Sequence, residues 1–237
     1  MINKPSIKPV FVLLSAITLT IVGCGGGPVP TSEELVTKYP DVGQNSSRAE
    51  NKEILCPFVR MLERSGSFDE EVASLPTITI TTKSLGTAAK EFGCATSACQ
   101  IVANIASSGQ GNPGVDIERL HDADTIAHDC GLTFGFGDTQ VNDAVRQNTL
   151  DRLADLADNE GNLVYADLET VKLENCAAEG VEISSPGELE TKLIFAYLGG
   201  VENGSIPLSD VERLFHATMP ENKTTSWLNS GLLGKVK

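Results

Sequence analysis

Basic residues are scarce in this chain: 18 Lys and Arg stand against 32 Asp and Glu, for a net charge of −14. A surface of that sign repels phosphate backbones and gives no electrostatic reason to lie on an anionic membrane, so nucleic acid is excluded as a partner. Histidine is scarcer still. The three histidines, His121, His128 and His216, are too few and too scattered for an imidazole-built metal cluster. There is no glycine-rich nucleotide loop, zinc-type cysteine spacing or serine-nucleophile elbow. Long apolar runs are missing too, with one exception near the start. Residues 10–22 carry Phe11, Val12, Leu13, Leu14, Ile17 and Leu19, and this run is shorter than the roughly 20 residues a bilayer-spanning helix needs.

That short run sits where an export signal would place it. Lys4 and Lys8 precede it, and it closes in Ile21-Val22-Gly23-Cys24. The closing residues resemble the lipobox of bacterial lipoproteins, in which the cysteine is lipidated, the chain is cut before it and the new amino group is acylated. The resemblance implies Cys24 as the lipidated first residue of a mature protein in the bacterial cell envelope. Several acyl chains on one residue anchor stably. Gly25, not an acidic residue, follows, which points to the periplasmic side of the outer membrane. The membrane is expected to be met through the lipid anchor only. Loss of the two signal lysines would take the net charge from −14 to −16.

The expected organisation is a signal peptide at 1–23, a flexible tether at 24–50 and one helical domain at 51–230. The run Gly-Gly-Gly-Pro-Val-Pro-Thr-Ser opens the tether. The remainder is long enough for a sizeable core. With Cys24 lipidated, five cysteines remain: Cys56, Cys94, Cys99, Cys130 and Cys176. An odd number in an oxidising compartment points to two disulfides and one thiol kept for another purpose. Cys94 and Cys99 are close enough in sequence for a local bridge, and Cys130 with Cys176 would complete the set, although spacing alone does not settle connectivity.

The chain reads as mainly α. Pro57 suits a first helical position and Gly66 a helix stop, with Phe58, Met61 and Leu62 on one face. Helical spacing continues over 84–92, 97–107, 116–128, 142–158, 165–176, 186–198 and 208–217, and residues 77–81 alternate as a short strand. The segments 161–169 and 204–212 look alike. Each places an aliphatic residue shortly after a glycine and an acidic residue on the following helix, as in the second half of a calcium-binding loop. The first half fails in both: Leu156, and then Gly199 and Val201, stand at the leading ligand positions. Helix–turn–helix linkers are the reading that remains.

Three stretches can carry chemistry. Cys56 precedes a helix, where amide groups and the helix dipole favour thiolate and lower the pKa. His121 and Asp122, followed by Asp124 and Asp129 and then by Gly137-Asp138 and Asn142, form a polar stretch in which a histidine can orient a carboxylate or shuttle a proton. Glu190 precedes a strongly apolar turn, where burial would raise its pKa. Glu188 competes with it for an acid–base role.

Their order resembles the haem-thiolate chloroperoxidase and aromatic peroxygenase family. There a Pro-Cys-Pro segment at a helix start supplies the axial thiolate, followed ten residues later by a glycine like Gly66. A Glu-His-Asp segment, a Gly-Asp…Phe-Asn stretch, a distal glutamate and a closing Leu-Pro segment complete the pattern. Gly137-Asp138, Asn142, Glu190, Met219-Pro220 and Trp227 match it in turn, with Val141 in place of phenylalanine. The resemblance spans Ile54 to Trp227. It implies a single helical domain of chloroperoxidase-like type, haem bound through Cys56, Glu190 as the acid–base with His121 and Asp122 positioning it, and peroxide used to oxidise or halogenate a small organic substrate. Leu55 replaces the first proline, and Arg60 and Arg64 stand where asparagines are usual. Leu120 replaces a glutamate that binds magnesium or manganese beside a haem propionate, and Asp124 stands at the serine that also contacts this ion. Asp124 is therefore the expected metal ligand. The alternative is a non-catalytic envelope lipoprotein that keeps the scaffold without haem. A calcium-responsive module is disfavoured by the missing ligands.

Overall fold

Side chains cap the starts of several helices, those opening at Ser32, Thr82, Asp143 and Ser185 among them. The Thr31 hydroxyl accepts from the Glu34 amide at 3.2 Å, and the Glu34 carboxylate accepts from the Thr31 amide at 2.7 Å, a capping box that opens α1 (Ser32–Lys38). The computed structural model describes residues 28–72, 79–94, 96–111, 114–123, 126–225 and 234–236, with the side chains of 96–99 and 101 also outside the description. The signal segment, Cys24, Asp124 and Trp227 therefore lie outside the described residues.

Chain order continues with α2 (Pro57–Arg64), α3 (Asp69–Val72), β1 (Thr79–Ile80), α4 (Thr82–Glu91), α5 (Thr96–Gln110) and β2 (Val115–Asp116). Then come α6 (Asp143–Leu156), β3 (Asn162–Leu163), α7 (Tyr165–Ala178), α8 (Ser185–Tyr197), α9 (Gly200–Asn203), β4 (Ile206–Pro207) and α10 (Leu208–Phe215). The domain is mainly helical, and its strands form two antiparallel pairs, β1 with β2 and β3 with β4. One core runs through the helices: Met61 and Leu62 of α2, Leu168 and Val171 of α7, Ile194 and Phe195 of α8, and Val211, Leu214 and Phe215 of α10 are all buried. No helix among the described residues is long and apolar enough to cross a membrane.

Two stretches differ from the sequence expectation. The tether expected to reach residue 50 is folded from Thr31 onward: Leu35 and Val42 are buried in the core, and the Val42 carbonyl accepts from the Met219 amide at 2.8 Å. Two buried apolar residues are enough to dock a polar segment when its charges find partners. Arg48 bonds Asp69 and Glu63, and Glu50 bonds Arg146. Residues 116–128, expected as a helix, begin in β2 instead, and those of them that are described hold a 3-10 turn at Leu120–Asp122. The Gln110 side chain takes the backbone there, donating to the Asp116 and Arg119 carbonyls at 2.8 Å each and accepting from the Asp116 amide at 2.8 Å. Asp116 Oδ1 also accepts from the Glu118 amide, a local bond that competes with helix formation.

The two look-alike segments pair with each other. Leu163 stands opposite Ile206 across the β3–β4 ladder, both fully buried, and each strand follows a glycine with φ of +79°. The Gly137…Asn142 stretch is a capping device. Asn142 Oδ1 accepts from the amides of Ala144 and Val145 to open α6, while Asp138 Oδ2 accepts from Asn142 Nδ2 and from the Gly135 amide.

Candidate active site

Cys56 is the N-cap residue of α2, held there because Pro57 takes the first helical position. It is the free cysteine of the described residues: Cys130 is bonded to Cys176, and Cys94 is also in a disulfide. The amides of Val59 and Phe58 favour charge on the sulfur, although neither contact has full hydrogen-bond geometry. Burial outweighs them. Together with the nearby Glu190 carboxylate it pushes the Cys56 thiol up, against the lowering expected from the helix start alone. The resting sulfur is therefore a protonated thiol, and a bound cation would be needed to draw the proton off.

The backbone around Cys56 is clamped by arginines. Arg60, fully buried, donates through Nη1 to the Ile54 and Leu55 carbonyls at 2.6 and 3.3 Å, and through Nη2 to the Phe215 carbonyl at 2.9 Å. Its Nε lies 3.4 Å from Glu50, an ion-pair contact without hydrogen-bond geometry. Arg64 takes the His216 and Ala217 carbonyls, and Arg146 shares the Phe215 carbonyl. Three guanidiniums thus satisfy the buried carbonyls that end α10, and Arg60 ties that end to the segment that carries Cys56. Burial, with Arg146 close by, pulls Arg60 down to about 10, so it remains charged at neutral pH.

Glu190 lies on α8 with its side chain 11% exposed. Lys172, whose side chain is fully buried on α7, pairs with Glu190 Oε2. His128 Nε2 stands 3.9 Å from the same oxygen, while His128 Nδ1 donates to the Cys130 carbonyl at 2.8 Å. Burial alone would raise the Glu190 carboxyl, as expected from its sequence. The charges of Lys172 and Arg60, joined by that of His128 when it is protonated, overcome that and hold it below the usual glutamate value. Burial keeps His128 down as well, in spite of the Glu190 charge. Glu188, the competing carboxylate, is exposed in the first turn of α8, 4.0 Å from Lys192.

The structure brings Cys56, Arg60 and Glu190 within electrostatic reach of one another. His121 and Asp122 stay apart from this cluster. They sit on the Leu120–Asp122 turn, where Asp122 pairs with Arg119 and His121 Nε2 lies 3.4 Å from Asp122. Among the groups contacting Glu190, His128 occupies the position expected of His121. Sequence reading missed Lys172 and His128. The signal for Lys172 was present: Leu168, Lys172 and Cys176 recur at helical spacing on the buried face of α7. His128 carried no comparable mark, since a loop histidine two residues before a cysteine looks like any other.

The donor chemistry fits a haem at Cys56: a free thiol at a helix start, with a buried carboxylate in the same cluster. Two cavities among the described residues lie elsewhere. One, of about 320 Å³, is lined by Tyr39, Lys83 and Glu91, and the other, of about 330 Å³, by Asp138, Val141 and Asn142. The expected magnesium or manganese ligand, Asp124, is outside the described residues, and no group of three His, Cys, Asp or Glu side chains able to hold an ion occurs among those described. No protein-family model matches this sequence, and no curated protein matches it.

Proposed function

We propose that the domain is a haem-thiolate peroxidase or peroxygenase, anchored in the cell envelope through Cys24, that uses peroxide to oxidise or halogenate small organic substrates. The observation that carries this reading is the placement of the Cys56 thiol within electrostatic reach of the buried Glu190 carboxylate, although the two are far apart in the sequence. A haem bound by a thiolate supplies the chemistry of O–O bond cleavage. Cys56 would hold it, with the backbone just before the cysteine anchored by the Arg60 bonds to the Ile54 and Leu55 carbonyls. Glu190 moves the proton. Its Oε2 is committed to Lys172, so Oε1 is the oxygen that takes a proton from one peroxide oxygen and returns it to the other. Neutral His128, with its Nδ1 proton on the Cys130 carbonyl, turns an unprotonated Nε2 toward the carboxylate.

The test is an absorption spectrum of the ferrous carbon-monoxide form of the full chain, expressed with haem supplied, beside a Cys56→Ala control. A red-shifted thiolate-type Soret band that the control lacks is expected. Glu190→Gln should keep that band and slow peroxide activation by about 10²–10⁴-fold, the usual worth of a general acid–base. A second reading, a non-catalytic envelope lipoprotein on the same scaffold, draws on the Lys172 pairing of Glu190. Failure to bind haem under these conditions would select it.

A further inference from the structure

Glu190 is reached by two groups from different parts of the chain, and one covalent bond secures both. Lys172 comes from α7, and His128 comes from the loop that leads to Cys130. Cys176 lies one helical turn beyond Lys172 on the same face of α7. Cys130 is two residues beyond His128, and its carbonyl is the partner of His128 Nδ1. The Cys130–Cys176 disulfide therefore ties the loop presenting His128 to the helix presenting Lys172. Asn175 reinforces the tie, donating to the Gly131 carbonyl at 3.2 Å and to the Thr149 hydroxyl at 2.8 Å.

Lys172 is an unusual choice for this place. A lysine side chain with no exposed surface, pointed into the core from a helix whose neighbouring inward residues are Leu168 and Val171, is costly to bury. A packing role would be met by leucine or methionine at no such cost. The ammonium instead contacts one oxygen of a buried carboxylate. That contact keeps the carboxylate ionised, fixes its rotamer and leaves the other oxygen turned away from the lysine.

We propose that Lys172 is a positioning residue for the proton work of Glu190, and that the Cys130–Cys176 bridge is the strap that keeps both Lys172 and His128 on that carboxylate. The functional meaning rests on the peroxidase reading above, but the cluster and its strap do not. The charged and titratable groups facing Glu190 are Lys172 from α7, His128 from the loop, and Arg60 and Cys56 from α2. Of these, Lys172 alone is hydrogen-bonded to it, so its removal should change Glu190 most.

The experiment is a carboxyl carbon-13 NMR titration of the full chain in detergent, without haem, with the Glu190 signal assigned by its loss in Glu190→Gln. Glu190 is expected to titrate below the ordinary glutamate range in the wild type. In Lys172→Met it should move up by about 1–3 pH units, the usual effect of an adjacent opposite charge, and Lys172→Arg should restore most of the shift. An unchanged Glu190 titration in Lys172→Met overturns the proposal and leaves the lysine a packing residue. If that variant does not fold, the paired Cys130→Ala and Cys176→Ala variant, which removes this bridge and leaves the Cys94 disulfide in place, is titrated in its stead. An upward move of Glu190 supports the strap, and an unmoved Glu190 overturns it. Because no haem is present, these outcomes are independent of the carbon-monoxide spectrum, which judges the peroxidase reading. In haem-loaded protein the acid limb of the kcat profile should move up in Lys172→Met while the Cys56-dependent Soret band stays in place.

Discussion

The two sides of the candidate site are held in unlike ways. On the thiol side, guanidiniums of Arg60, Arg64 and Arg146 take backbone carbonyls at the end of α10 and just before α2. On the carboxylate side, a disulfide and a buried ion pair hold side chains against each other. The first arrangement fixes a backbone and leaves the cysteine side chain uncommitted. The second fixes charges and leaves one carboxylate oxygen uncommitted. A ligand position needs the former, because the metal–sulfur distance tolerates little movement. A proton-transfer position needs the latter, because its partners decide when the proton comes and goes.

The comparison breaks most sharply at Arg60. Arg60→Met strands the Ile54 and Leu55 carbonyls, leaves the Phe215 carbonyl to Arg146 alone and weakens the charge balance at Glu50, so a loss near 5 kcal/mol is expected, about the top of the range for breaking a buried pair. Denaturant unfolding measures it, and Cys56 should become faster to react with a thiol reagent. The paired substitution Cys130→Ala with Cys176→Ala attacks the other side. For a bridge spanning 46 residues, loop entropy predicts a loss of about 4 kcal/mol. Here the Cys56 reaction rate, taken under native conditions, should stay at the wild-type value. Equal changes at Cys56 in both variants would mean that the two sides are one mechanical unit.

Smaller changes sharpen the contrast. A Cβ at Gly131 would fall 2.2 Å from the buried Phe134 ring, which itself lies 5.2 Å from the His128 ring. Gly131→Ala should cost about 1–3 kcal/mol by overpacking and shift the His128 ring signals in an NMR spectrum while leaving those near α2 unchanged. Asn142→Ala removes the cap of α6 and should cost about 1 kcal/mol in thermal unfolding. The least effect is on pH. His128 and His216 both have native pKa values held below the ordinary 6.5, each mainly by burial. Between that value and their native ones, the unfolded chain binds protons that the native protein does not. Their contribution to stability is therefore complete above about pH 6.5 and is lost as the pH falls toward the native values. Glu190, also lowered, acts in a separate window that opens only below its ordinary value near 4.5. His128→Gln should flatten the fall in melting temperature between pH 6.5 and 5 and leave the acid limb below 4.5 in place.

Much of the helical frame was readable in advance because it is written in local terms. Pro57, Asn142 and the apolar spacing of 142–158, 165–176 and 186–198 mark α2, α6, α7 and α8 to within a few residues. Expectation failed at 116–128, where apolar spacing suggested a helix but the Gln110 side chain and the pairing with Thr79 take the backbone groups a helix would use. It failed again at 31–50, where composition looked like a tether. Composition does not show that Glu50 meets Arg146, or that Val42 meets Met219, far away in sequence.

By itself the sequence determined the helical class of the domain and the helix start at Pro57 that places Cys56. These follow from short-range sterics, hydrogen bonding and spacing, which act within a few residues. The tertiary structure alone decided that Cys56 is the free thiol among the described residues, that Glu190 and not Glu188 is buried with it, and that Lys172 and His128, not His121, stand at that carboxylate. The same packing reversed both expected pKa directions, because a group's charge state depends on the sum of its burial and its neighbours, and those neighbours come from helices that only folding brings together.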